Sequence, residues 1–164
     1  MAAAPSSQRS SCRLFKQLEN RRQDAGATKW HTVQMYSAAV LDHFKNPRNA
    51  GELAGATATV EVSNPVCGDV LQLAARIEGG RLAELRFKAK GCVTAMACAS
   101  LLTEMVTGHT PDEARALTHQ QIADALGGLP PATAHGAQLA RDALAALLDQ
   151  LGGNAIADER RRSR

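Results

Sequence analysis

Apolar residues fall along the chain in patterns that change period, and each change marks an element. Between residues 36 and 44, Tyr36, Val40, Leu41 and Phe44 share one helical stripe, which Asn46-Pro47 ends. Alternation with period two then takes over. Thr57-Ala58-Thr59-Val60-Glu61-Val62 predicts a first strand, and Leu71, Leu73, Ala75 and Ile77 a second. Glu78-Gly79-Gly80-Arg81 predicts a hairpin turn with positive φ at both glycines, returning into a third strand that carries Leu82, Leu85, Phe87 and Ala89. From Cys92 to Val106 the pattern is again helical and rich in small residues, which allows close approach to a sheet.

The remainder reads as helices with clear punctuation. Thr110-Pro111-Asp112-Glu113 is a capping box with proline at the first helical position. Thr118-His119-Gln120-Gln121 repeats the box and opens a short helix that stops at Gly127-Gly128. Leu129-Pro130-Pro131 is a rigid connector. The last helix runs from His135 to Leu151 on a stripe of Leu139, Ala140, Ala143, Leu144, Leu147, Leu148 and Leu151, with Gly152-Gly153 expected to end it. A three-stranded antiparallel sheet with one apolar face needs a cover, and the helices supply it. The expected fold is therefore a single α+β domain, with the sheet covered on one face by helices.

That domain occupies residues 35–152. Residues 1–34 lack periodic apolar positions and read as a disordered tail, or as an upstream start with Met35 as the real beginning. The second explanation is preferred, because every later feature starts at Met35-Tyr36. Residues 153–164 read as a basic disordered tail.

Composition narrows the function. Apolar residues make up 45% of 164, and aromatics only 3%, so the core must come from Leu, Val, Ala and Met. No apolar run approaches the roughly 20 residues of a membrane span, and a soluble protein is expected. The net charge of +3 hides an asymmetry. Residues 1–34 hold six Lys/Arg against two acids and residues 157–164 four against two, which leaves nine against twelve between them. A nucleic-acid binder carries its basic charge on the folded body, and this body is acidic, so nucleic acid is discounted.

The cysteines are Cys12, Cys67, Cys92 and Cys98. Without a secretory signal they point to a reducing compartment, taken as the cytoplasm, where clustered Cys, Asp and His mean metal or catalysis more often than disulfides. Cys67 and Asp69 lie in the turn between strands one and two, within Asn64-Pro65-Val66-Cys67-Gly68-Asp69. Cys92 follows strand three. An antiparallel meander returns those two loops to one edge of the sheet, so they are predicted neighbours. Cys92 also begins a helix just after Lys88 and Lys90, which should favour its thiolate. Cys98 fails on geometry. Six helical residues turn it about 120° from Cys92, onto the stripe of Leu101, Leu102 and Met105, so it reads as a core residue. His135 is held behind the Pro-Pro connector. His31, His43, His109 and His119 read as structural or solvated, with His43 on the polar side of the first helix.

Taken together, these stretches resemble the IscU/NifU/SufU-like iron–sulfur cluster assembly scaffolds, the N-terminal NifU-type domain. Residues 35–51 look like that family's opening segment. Asn64–Asp69 is close to its first ligand loop, Phe87-Lys88-Ala89-Lys90-Gly91-Cys92 to its second, and Leu129-Pro130-Pro131 with His135 to the run before its third. The resemblance covers about residues 35–151. It implies a non-enzymatic scaffold that holds iron or a [2Fe–2S] cluster on Cys67, Cys92, Asp69 and His135. It also implies a cysteine desulfurase and apo iron–sulfur proteins as partners, and leaves open a homodimer around a shared cluster.

Three departures stand out. The family's third cysteine directly follows the histidine, where this chain has Gly136. The stretch Leu129-Pro130-Pro131-Ala132-Thr133 lacks the lysine read by a dedicated chaperone. The insertion that SufU-like members carry between their second and third cysteines is absent. The missing thiol raises a competing reading from another class, a zinc-bound sulfur acceptor or sulfurtransferase. A degenerate member that survives only as an interaction module is a third.

Overall fold

The computed structural model describes residues 36–162, with side chains through residue 154. The tail at residues 1–34, Met35, Cys12 and His31 lie outside the described residues. Among the described residues, five helices and three strands follow in the order α1 Ala38–Lys45, β1 Ala58–Ser63, β2 Val70–Glu78, β3 Arg81–Lys90, α2 Val93–Val106, α3 Pro111–Arg115, α4 His119–Ala125 and α5 His135–Arg162, with a 3-10 turn at Pro131–Thr133 before α5. The sheet is antiparallel with strand order β1-β2-β3. The α+β architecture and the single sheet are those the apolar pattern predicts.

Register follows from alternation. Leu71 pairs with Ala89, Leu73 with Phe87 and Ala75 with Leu85. Leu71, Leu73, Ala75, Leu82, Leu85 and Phe87 are all buried, against Ala97, Cys98 and Leu102 of α2 and Leu144, Leu147 and Leu148 of α5. A one-residue slip would turn that whole set to water, so burial of one face holds the register. The hairpin between β2 and β3 has positive φ at Gly79 (58°) and Gly80 (76°), the geometry of a two-residue turn that matches strand twist. A bulge between Arg76 and Ile77 precedes it. The opposite sheet face is polar, with Glu84 taking Arg76 at 2.8 Å and Arg86 at 3.0 Å.

The free edge of β3 is covered. Gly51 N–H donates to Phe87 C=O (2.8 Å), and Phe87 N–H donates to Asn49 C=O (3.0 Å). An occupied edge removes a template for unwanted strand pairing. Both capping boxes form as expected, at Thr110/Glu113 and Thr118/Gln121.

Two sequence expectations are corrected. On α1, His43 rather than Phe44 takes the inward place. His43 is 8% exposed, with Nδ1 2.9 Å from Ser100 Oγ, while Phe44 is 37% exposed. A hydrogen-bonded imidazole fills the contact with α2, which a stripe of apolar residues alone does not anticipate. The second correction is that Gly152-Gly153 does not end α5, which continues to Arg162. Neither glycine adopts the positive φ of a helix stop. Glycine permits that conformation without requiring it.

Candidate metal and cluster site

Topology brings the two candidate ligand loops to one edge. Ser63 at the end of β1 pairs with Val70, and Val70 pairs with Lys90 at the end of β3. The six residues 64–69 therefore turn beside the Gly91-Cys92 step, as the meander predicts. Within the turn, Val66 N–H donates to Asn64 Oδ1 (2.9 Å), Gly68 N–H to Asn64 C=O (2.8 Å) and Asn64 N–H to Asp69 C=O (2.8 Å). Gly68 has φ +72°, which a residue with a side chain adopts only under strain. This closed turn presents Cys67 to solvent next to Val66, which is 79% exposed.

Asp69 turns inward instead. It is 6% exposed, and Oδ1 accepts the Cys92 N–H at 3.3 Å. Its carboxylate fills the room beside Gly91, where a Cβ would stand 2.6 Å from Asp69 Cγ. Glycine before Cys92 is what admits this approach.

Cys92 is exposed and serves as N-cap of α2, with Sγ accepting the Ala95 N–H at 3.4 Å. The expectation of a favoured thiolate is corrected. Partial burial of the capping sulfur pushes the thiol pKa up from its ordinary value, and the Asp69 carboxylate adds to the rise. The amides of Ala95 and Thr94 oppose it without prevailing. Neither Lys88, which is paired with Glu52, nor Lys90 is among the groups that act on this thiol. Cys98 is buried, as the helical geometry predicts, and burial lifts its thiol to about 12.

His135 is exposed at the start of α5, behind the 3-10 turn in which Thr133 N–H donates to Pro130 C=O (2.8 Å). The next residue, Gly136, is buried against the first turn of α2, where a Cβ would stand 2.9 Å from Ala95 N. Thr94, part of that contact, is fully buried, and its Oγ1 has no hydrogen-bond partner. The structure thus joins Asp69 to Cys92 directly and sets α5 beside the same turn. Among the described residues, no three His, Cys, Asp or Glu side chains stand close enough to hold one metal ion as they are. The candidate donors are two thiols, one carboxylate and one imidazole, a set that suits iron and zinc. Bringing them onto one metal needs movement of the Cys67 turn and the His135 side chain.

Sequence reasoning missed Gly91 and Gly136 as close-packing positions. The only signal was their placement next to ligand candidates.

The model of the NifU-like N terminal domain matches residues 35–155. The chain belongs to this family. It is 41% identical over 126 residues to the iron–sulfur cluster assembly scaffold protein IscU 1 of Archaeoglobus fulgidus, covering 76% of this chain and 82% of that one. It is 42% identical over 117 residues to IscU of Haemophilus influenzae, covering 69% and 92%. A NifU-like N-terminal protein from Brucella abortus shares the fold with a TM-score of 0.61 at 22% identity, over 73% of this NifU-like chain and 96% of that one.

Proposed function

We infer that this NifU-like chain is an iron–sulfur cluster assembly scaffold. It takes up iron and sulfur, holds the nascent cluster as cargo and passes it to acceptor proteins. One observation carries the reading. The Cys67–Asp69 turn and the Cys92 helix start meet at one sheet edge, with Asp69 bonded to Cys92, in a chain about two-fifths identical to named scaffolds.

Cys67 and Cys92 serve as the thiolate ligands and sulfur acceptors, and His135 adds a nitrogen donor. Asp69 is the weak oxygen donor. Its Oδ1 is already engaged by Cys92 N–H, which leaves a loosely held cargo that can be released. Two thiolates with a nitrogen donor suit a [2Fe–2S] cluster, in which histidine is the less common substitute for cysteine. The chain acts as a carrier without a turnover reaction of its own. A cysteine desulfurase supplies the sulfur, apo iron–sulfur proteins receive the cluster, and the setting is the cytoplasm. Nothing favours the zinc-bound sulfur acceptor.

Anaerobic reconstitution with ferric iron and sulfide, followed by absorption spectroscopy and metal analysis, tests the reading. Charge-transfer bands are expected in the natural protein, and their loss in Cys67→Ala and Cys92→Ala. Stoichiometric zinc in the purified protein with no bands after reconstitution would count against a scaffold.

A further inference from the structure

The place that the family's third cysteine holds is shut in this chain. A Cβ on Gly136 would stand 2.9 Å from the Ala95 nitrogen, 2.9 Å from the Thr94 carbonyl carbon and 3.1 Å from Thr94 Cγ2. Two of those three atoms are backbone in the first turn of a 14-residue helix. They cannot swing aside as the end of a long side chain can. The Ala95 N–H in that turn also donates to Cys92 Sγ, so moving it would disturb a ligand. Cys67, Cys92 and His135, by contrast, are all exposed. Each of these three candidate donors is therefore reachable from solvent.

Ligand count then decides what is missing. A [2Fe–2S] cluster has four terminal positions and prefers thiolates. Cys67, Cys92 and His135 can fill three of them only once they are drawn together. Asp69 is the weakest candidate for the fourth, being buried, bonded to Cys92 N–H and wedged against Gly91.

Resting on the scaffold reading above, we propose that a low-molecular-weight thiol from solution binds the solvent-facing iron of the cargo cluster and supplies the third sulfur that Gly136 cannot. The thiol releases its proton to solvent as its sulfur forms the bond to iron, displacing water or the Asp69 carboxylate, and no electron moves. A second copy of the chain is the rival donor, and a dimer mass holding one cluster without a bound thiol would overturn the proposal. A free thiolate also leaves on its own, which opens the iron to an acceptor's cysteine.

The test reduces the protein with a phosphine, removes the phosphine and reconstitutes the protein anaerobically with ferric iron and sulfide, with glutathione, with 2-mercaptoethanol or with no thiol. After desalting, absorption spectroscopy reads the cluster and native mass spectrometry reads its composition. The expected result is a cluster retained only where thiol was present, in a species whose mass includes one thiol. A cluster retained equally without thiol and carrying no thiol mass overturns the proposal and leaves the scaffold reading intact. No cluster under any of the conditions overturns both. Gly136→Cys is expected to melt below the natural protein and to stay thiol-dependent. Thiol-independent retention in a Gly136→Cys variant that melts like the natural protein would show the place to be open, and the proposal fails.

Discussion

Asp69 occupies the space that a side chain at Gly91 would need. A Cβ there would stand 2.6 Å from both Cγ and Oδ1 of Asp69, while that same Oδ1 accepts the N–H of Cys92 at 3.3 Å. The absence of one methyl group thus couples the Cys67–Asp69 loop to the Gly91-Cys92 step. Gly91→Ala is expected to push the carboxylate out and break the bond to Cys92. Overpacking of this kind costs about 1–3 kcal/mol. Urea denaturation should show the loss, and reconstituted Gly91→Ala should hold iron less well. An unchanged midpoint together with unchanged iron retention would mean that Asp69 can move freely, contrary to the packing described.

The Cys92 thiol of the metal-free protein is raised by burial first and by Asp69 second. Asp69→Asn removes the second cause and keeps the shape. At a fixed pH near neutrality its thiolate fraction should rise, so Cys92 should alkylate faster than in the natural protein. Peptide mapping after timed iodoacetamide exposure separates Cys92 from Cys67. Slower labelling of Cys92 in Asp69→Asn would contradict the electrostatic account.

Burial depresses the pKa of His43, and Arg48 depresses it further, against weaker pulls from Glu104 and Asp42. A histidine held lower in the folded state than in the unfolded chain contributes stability above the unfolded value of about 6.5, and loses it as pH falls toward the folded value. Stability should therefore decline below about pH 6.5, and His43→Gln should flatten that limb. Ser100 Oγ also accepts Arg48 N–H at 2.8 Å, so Ser100→Ala should cost about 1–3 kcal/mol by leaving buried polar groups unmatched. Denaturation midpoints measured between pH 5 and 8 read both effects.

The sign is reversed at Cys98. Its thiol rises from 9.0 to about 12 in the fold, so it favours the native state below the ordinary thiol range. That contribution is lost as pH climbs from about 9 toward 12. Cys98→Ala should lower stability near neutrality by roughly 1 kcal/mol through lost packing, yet weaken the alkaline decline. An alkaline limb identical in the natural protein and the variant would sink the assignment.

Much of this architecture was legible from the amino-acid order. Three strands, the Gly79-Gly80 hairpin and both capping boxes follow from local periodicity and turn chemistry, which operate over a few residues. The meeting of the Cys67 loop with Cys92 was also readable, because an antiparallel meander returns every second turn to the same edge. Cys98 as a core residue followed from helical angle alone.

What the order of residues could not decide depends on contacts between distant segments. His43 rather than Phe44 faces inward because Ser100, 57 positions away, offers its imidazole a partner. The Cys92 thiol is raised rather than lowered because burial and Asp69, 23 positions away, outweigh the helix amides. Gly136 reads in sequence as a missing ligand, and only packing against Thr94 and Ala95 makes it a closed position. Periodicity determined the elements, their order and the edge where the thiols gather. Tertiary structure decided which side chains have room, which are desolvated and which donor is already engaged, because close packing and burial arise only when those elements meet.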